Sequence, residues 1–186
     1  MTEPRLIVLT GISAAGKTTV GRLLAEEFER GAFVEGDLVR EMVRRGRVDM
    51  SPEPSGEALA QLRLRYRQTA ALASSFVEAG FTAVLEDVIV GAELLEFLAA
   101  VRAPRTHLVV LAPSVAAVTA REGGRDKVAY GARWQPELLD RVVRDSTPRL
   151  GLWLDTTIQT PAGTVAEILS RLPESLLSPE LVGGSV

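Results

Sequence analysis

Cysteine is absent from the sequence. That excludes disulfides, thiolate catalysis and zinc–sulfur sites, and it accords with a reducing, cytoplasmic setting. Histidine occurs once, as His107, at the start of an apolar segment, where it reads as a structural edge residue. Excess charge is also scarce: the formal net charge is −3 over 186 residues, so nothing suggests an overall pull toward nucleic acid. No apolar run approaches the ~18 residues of a membrane span. The start, Met1-Thr2-Glu3-Pro4, lacks the basic and apolar blocks of a signal peptide. There is no repeat of fixed period. What is present is a 46% hydrophobic composition, enough for one domain with a full core.

One stretch carries the strongest signal. Gly11-Ile12-Ser13-Ala14-Ala15-Gly16-Lys17-Thr18 matches the phosphate-loop pattern G-x-x-x-x-G-K-[ST] in full. Arg5 to Thr10 before it has strand character. Thr19 to Phe28 after it places Val20, Leu23, Leu24 and Phe28 at helical spacing. Gly11 and Gly16 let the backbone turn its N–H groups around an anion, and the new helix adds its positive end. Gly11, Ser13, Ala14, Ala15, Gly16, Lys17, Thr18 and Thr19 are therefore the candidate nucleotide contacts. Lys17 is expected on the β- and γ-phosphates, and Thr18 on Mg²⁺.

Strand and helix alternate along the rest of the chain. Strands are expected at 32–35, 81–85, 106–111 and 151–154. Helices are expected at 38–45, 57–79, 92–102, from Ser114 (the expected N-cap) to 121 or 122, at 136–144 and at 164–172. Leu94, Leu95 and Leu98 should face inward. Leu59, Leu62, Tyr66, Ala70, Ala73, Phe76 and Val77 should form the stripe of the long helix. Its burial within the chain's own core is the simplest account, with monomer and homodimer both left open. The pattern predicts an α/β domain of three layers around a parallel sheet of about five strands. Residues 1–172 form a single domain and 173–186 a loosely held tail.

Ligands bind beyond the C-terminal ends of such strands, and the charged residues of interest fall there. Asp37 follows the second strand, where its carboxylate can accept a proton from a substrate hydroxyl or orient it; capping the next helix is compatible. Arg40, one turn on, suits an anionic or polyhydroxyl substrate. Glu86 and Asp87 end the third strand, and of the two Asp87 is the expected contact for Mg²⁺ or acceptor. Arg121, Arg125 and Lys127 surround Gly123-Gly124 as a cationic lid over about 121–134, with Arg133, Arg141 and Arg144 as weaker additions. Thr157, in the loop after the last strand, is expected beside the nucleotide base. Trp134, Trp153 and Tyr66 read as packing residues.

Taken together, Gly11–Thr18, Gly36-Asp37, Glu86-Asp87 and the Arg121–Arg125 segment resemble a small P-loop kinase of nucleoside-monophosphate-kinase-like architecture. The nearest resemblance is to chloramphenicol phosphotransferase-like and tunicamycin-resistance-like proteins, with gluconate, shikimate and adenylylsulfate kinases further off. It covers roughly residues 5–172, and Gly36-Asp37-Leu38-Val39-Arg40 is similar to the adenylylsulfate kinase stretch in which Asp and Arg lie close to substrate. The resemblance implies transfer of the γ-phosphate of ATP to a hydroxyl of a small molecule, an antibiotic or sugar-like metabolite among the candidates. It implies catalytic roles for Lys17, Asp37, Arg121 and Arg125. Residues 37–80 would shape the acceptor pocket, and 47–80 match none of these families closely, so the acceptor is not named. The alternatives are a nucleoside, nucleotide or nucleotide-sugar kinase, and a nucleotide-dependent ligand-binding resistance protein that transfers nothing.

Overall fold

The computed structural model describes residues 3–122 and 135–183. Five strands alternate with seven α-helices among them. β1 (Leu6–Gly11) leads through the phosphate loop to α1 (Lys17–Glu26). β2 (Gly31–Glu35) runs straight into α2 (Gly36–Glu41), and α3 (Gly56–Glu78) leads to β3 (Thr82–Glu86). Then come α4 (Glu93–Ala100), β4 (Thr106–Leu111), α5 (Val115–Glu122), α6 (Pro136–Arg141), β5 (Leu152–Leu154) and α7 (Pro161–Ser170).

The strands form one parallel sheet in the order β2-β3-β1-β4-β5. Every residue of β1, β3 and β4 is buried. Successive side chains of a strand point to opposite faces, so both faces of the sheet are covered, as a parallel sheet requires. α1 packs with α7, and α3 with α4. The strand order reverses at β1, which lies between β3 and β4. Its C-terminal end is therefore the crevice where ligands of such sheets bind.

Some expectations give way to the packing. The helix expected at 38–45 spans 36–41, and Glu35, not Asp37, is its N-cap residue. Its early end follows from α3. The Gln61 amide donates to the Gly46 carbonyl (2.8 Å) and accepts from Val48 N–H (2.9 Å), drawing the chain off the helical path. Leu95 is exposed, and the fully buried Phe97 takes the inward place beside Leu94 and Leu98. On α3, Leu59 and Leu62 are half-buried, and Ala58, Thr69 and Ser74 join the core face. Ser74 spends its hydroxyl on Arg102 N–H (3.0 Å), so its burial leaves no polar group unpaired. α7 starts three residues early because Thr160 caps it, accepting from Gly163 N–H (3.1 Å) ahead of Pro161 at its first turn. α6 ends at Arg141 and passes into a π turn through Ser146.

The segment after α7 is packed, not loose. Two 3-10 turns, Leu172–Ser175 and Pro179–Leu181, lie within it. Leu177 is buried, and its N–H donates to the Thr106 carbonyl (2.9 Å) at the start of β4. His107 is not an edge residue. It sits on the inner strand β4, is 2% exposed, and forms an antiparallel bridge with Leu176. Its Nδ1 lies 2.9 Å from Ser175 Oγ and 3.2 Å from the Leu172 carbonyl. Trp153 packs as expected, with Nε1 donating to the Leu150 carbonyl and Arg149 over its ring.

Candidate active site

The phosphate loop is built by backbone geometry that few sequences permit. Gly16 has φ +99 and hands the chain into α1. Ala14 also takes a positive φ, 59, uncommon for a residue with a side chain. A Cβ on Gly11 would lie 2.3 Å from the Leu111 carbonyl oxygen of β4, so only glycine lets β1 turn there. Ala15 N–H donates to the Ile12 carbonyl (3.2 Å) and Lys17 Nζ to the same carbonyl (3.0 Å). Lys17 is 7% exposed and folded over the loop it serves. Among the described residues nothing lies within 4 Å of a Cβ position on Gly16.

Three strand ends meet this loop. β2 and β3 stop in register, Glu35 opposite Glu86, and Leu9 of β1 is the other neighbour of Glu86. Thr18 Oγ1 donates to Glu86 Oε1 (2.9 Å). Burial pushes the Glu86 carboxyl above the usual carboxylate range, while Lys17 and the Thr18 hydroxyl pull the other way. Thr18 therefore meets Glu86, not Asp87. The Thr18 hydroxyl and Glu86 carboxylate are hard oxygen donors of the kind Mg²⁺ takes. Among the described residues no group of three or more His, Cys, Asp or Glu is placed to hold a metal. The donor set thus fits a cation that arrives with nucleotide phosphates supplying further ligands.

Asp87 turns elsewhere. Its Oδ2 lies 2.9 Å from Arg65 Nε of α3, and its Oδ1 accepts from Val88 N–H (2.7 Å). Burial raises its pKa, opposed first by Arg65. A Cβ on Gly36 would sit 2.1 Å from Asp87 Oδ2, so a larger residue here must displace the Asp87 side chain or the start of α2. The following loop is fixed on both sides. The Thr10 hydroxyl donates to the Ile89 carbonyl and accepts from Ile89 N–H (2.9 Å each), and the Tyr66 hydroxyl donates to the Val88 carbonyl (2.6 Å). Arg65 and Tyr66 are the neighbours of this rim that sequence reading missed. Tyr66 was read only as core, and the Arg65 side chain is 14% exposed although it lies beside the apolar stripe of α3.

Asp37 stands in the first turn of α2, its side chain 41% exposed on the same rim. Arg40 Nε lies 3.2 Å from its Oδ1, and Arg40 Nη1 is 3.0 Å from Asp49 Oδ1. Arg40 is thus shared between two carboxylates. On the opposite side Arg121, from the last turn of α5, reaches back over the loop. It donates to the Ala15 carbonyl (3.4 Å) and to the carbonyls of Thr156 (2.7 Å) and Thr157 (3.4 Å). Thr157 Oγ1 accepts from Ser114 N–H (2.8 Å). Arg121 and Thr157 therefore come together beside the phosphate loop. Arg144 pairs with Asp140 (2.9 Å), and Arg141 is exposed. Arg125, Lys127, Arg133 and Trp134, with most of the lid expected at 121–134, lie outside the described residues.

A parallel sheet that reverses order at β1, with a G-x-x-x-x-G-K-T loop closing on α1, defines a P-loop α/β domain. Residues 6–142 match the model of the family AAA_33, described as an AAA domain, and the chain belongs to that family. Solved structures share the fold. An unliganded sugar kinase from Janibacter sp. HTCC2649 is similar with a TM-score of 0.69 at 19% identity, over 96% of this chain and 98% of that one. A gluconokinase from Sinorhizobium meliloti 1021 gives 0.57 at 23% identity, over 93% and 94%. The Mycobacterium tuberculosis APS kinase in complex with AMPPNP and APS gives 0.67 at 15% identity, over 93% and 99%. No curated protein matches the sequence.

Proposed function

We propose that the protein is an ATP-dependent phosphotransferase that moves the γ-phosphate to a hydroxyl of a small molecule. The observation that carries this reading is the convergence on one rim of Lys17, the Thr18–Glu86 contact and the half-exposed carboxylate of Asp37. A domain that only binds nucleotide has no use for a carboxylate poised beside the triphosphate. The fold neighbours named as sugar kinase, gluconokinase and APS kinase support the same reading.

In this account the loop N–H groups and Lys17 hold the triphosphate. Thr18 and Glu86 would hold Mg²⁺, which would supply charge neutralisation at the phosphates. Asp37 accepts or orients the acceptor hydroxyl proton as the oxygen attacks in line, with Arg40 keeping the carboxylate in place. Arg121 fixes the spacing between the phosphate loop and the Thr156–Thr157 segment that flanks the base. Most of the rate gain then comes from positioning and charge stabilisation. The test is ADP release from MgATP across a panel of hydroxylated metabolites, nucleosides and antibiotics. Acceptor-dependent release identifies the transferase. Tight nucleotide binding with no acceptor-dependent product across the panel contradicts it.

A further inference from the structure

The two edges of the sheet are unlike. β5 is three residues long, and a short edge strand is a poor template for a further one. β2 has five residues, pairs with β3 residue for residue without a bulge, and holds neither proline nor lysine. Its one charged side chain, Glu35, accepts from Arg22 Nη2 of α1 (3.0 Å). The Thr82 N–H donates to the Arg30 carbonyl (2.8 Å), so the alternate residues Arg30, Ala32 and Val34 bond toward β3. The backbone N–H groups of Gly31, Phe33 and Glu35 point outward, as do the carbonyls of Gly31 and Phe33. Among the described residues no loop or side chain bonds to them. β2 is thus an open edge of the kind that natural sheets cover or blunt.

The flank beside this edge changes sign along its length. Phe28, Gly31 and Phe33 line a hollow there. Arg22 stands over the Phe33 ring, 5.6 Å from its centre, at the Glu35 end. The exposed Glu26 and Glu29 stand at the Gly31 end, where α1 finishes; a Cβ on Gly31 would lie 1.8 Å from the Ala25 carbonyl oxygen. A two-fold axis at Phe33 sets Gly31 opposite Glu35 of a second copy and Phe33 opposite its own counterpart. Phe33 then exchanges both backbone bonds across the axis, and each Glu35 N–H meets the Gly31 carbonyl of the other copy. The same axis brings Glu26 and Glu29 of each copy toward Arg22 of the other. We infer that β2 pairs antiparallel with β2 of a second copy, joining the two sheets into one. The contact is isologous and uses the open edge of each copy, so it closes at a dimer. Because the paired strands run oppositely, the two phosphate loops open at opposite ends of the joined sheet, and neither obstructs the other. This pairing does not depend on the phosphotransferase reading.

The test has two arms. Sedimentation velocity over a range of concentrations should show the full chain passing from monomer to dimer. Arg22→Glu alone, and the double variant Glu26→Arg/Glu29→Arg alone, each set like charges across the axis and should weaken the dimer by about tenfold or more. An equimolar mixture of these two proteins restores opposite charges at both ends of the contact and should form a heterodimer at parental affinity. In the second arm, amide exchange of the unsubstituted protein is followed by NMR above and below the dimerisation midpoint. The Phe33 and Glu35 amides should be protected in the dimer and exposed in the monomer, while those of Ala32 and Val34 stay protected in both. This arm needs no variant, so it decides the matter even if a substituted protein unfolds. A chain that stays monomeric to the limit of its solubility overturns the inference. So does a dimer whose Phe33 amide exchanges as fast as the monomer's, or one that neither charge reversal weakens.

Discussion

Glu86 and Asp87 are adjacent carboxylates with opposite duties, and the difference comes from which way a strand end points. Both end an apolar run, and nothing in their order says which of the two faces the phosphate loop. The register does: Glu86 lies between Glu35 and Leu9 and receives the Thr18 hydroxyl, whereas Asp87 is drawn to Arg65. Glu86→Gln is therefore expected to keep the fold, lower kcat by about 10²-fold or more, and raise the Mg²⁺ concentration needed for half-maximal turnover. Magnesium titrations of ADP release check this. An Asp87→Asn protein, by contrast, should show its defect first in thermal stability, because it leaves a buried Arg65 uncompensated. Phosphate-loop residues were legible because their chemistry is local to eight consecutive positions. The acidic rim was legible only as a pair, since choosing between its members needs the neighbouring strands.

At the level of elements, the placement of α2 decides the geometry of the acceptor side. β2 enters α2 without a connecting loop, and the join is tight enough that Gly36 touches the Asp87 side chain. A methyl group 2.1 Å from Oδ2 has to displace either the helix or the Arg65–Asp87 pair. Gly36→Ala is accordingly expected to destabilise the protein by ~1–3 kcal/mol and to lower turnover by moving Asp37. Thermal unfolding together with kcat measures both. The sequence placed strands and most helices well where apolar spacing was strong, as in β4, whose observed bounds are those expected. It failed where tertiary hydrogen bonds set the boundary. Gln61 holds Gly46, fifteen residues away, and so draws the chain off beyond α2, and Thr160 starts α7 ahead of its apolar stripe.

For the whole molecule, the segment after α7 closes the end of the sheet opposite the phosphate loop, where Leu177 meets the start of β4. Its polar composition concealed this, because the buried histidine is met by Leu172 and Ser175 while Leu177 bonds to the Thr106 carbonyl. Burial holds the His107 pKa down to about 4, against 6.5 in the unfolded chain. Its Nε2 has no partner among the described residues, so a proton placed there would be stranded. The folded state thus binds fewer protons than the unfolded state between these values. The resulting stability is complete above pH 6.5 and is lost as pH falls toward 4. By pH 5 the loss is on the order of 2 kcal/mol, or roughly 4–8 °C in Tm for a chain of this size. His107→Asn, whose amide can replace Nδ1, should melt with that much less dependence on pH between 7 and 5. The central claim concerns the other end of the sheet. Its most direct measurement is acceptor-dependent ADP release by the parent protein and by Asp37→Asn, with MgATP affinity determined alongside. The account predicts unchanged nucleotide binding and a loss of turnover of at least 10²-fold in the variant. Turnover in Asp37→Asn equal to that of the parent would contradict it.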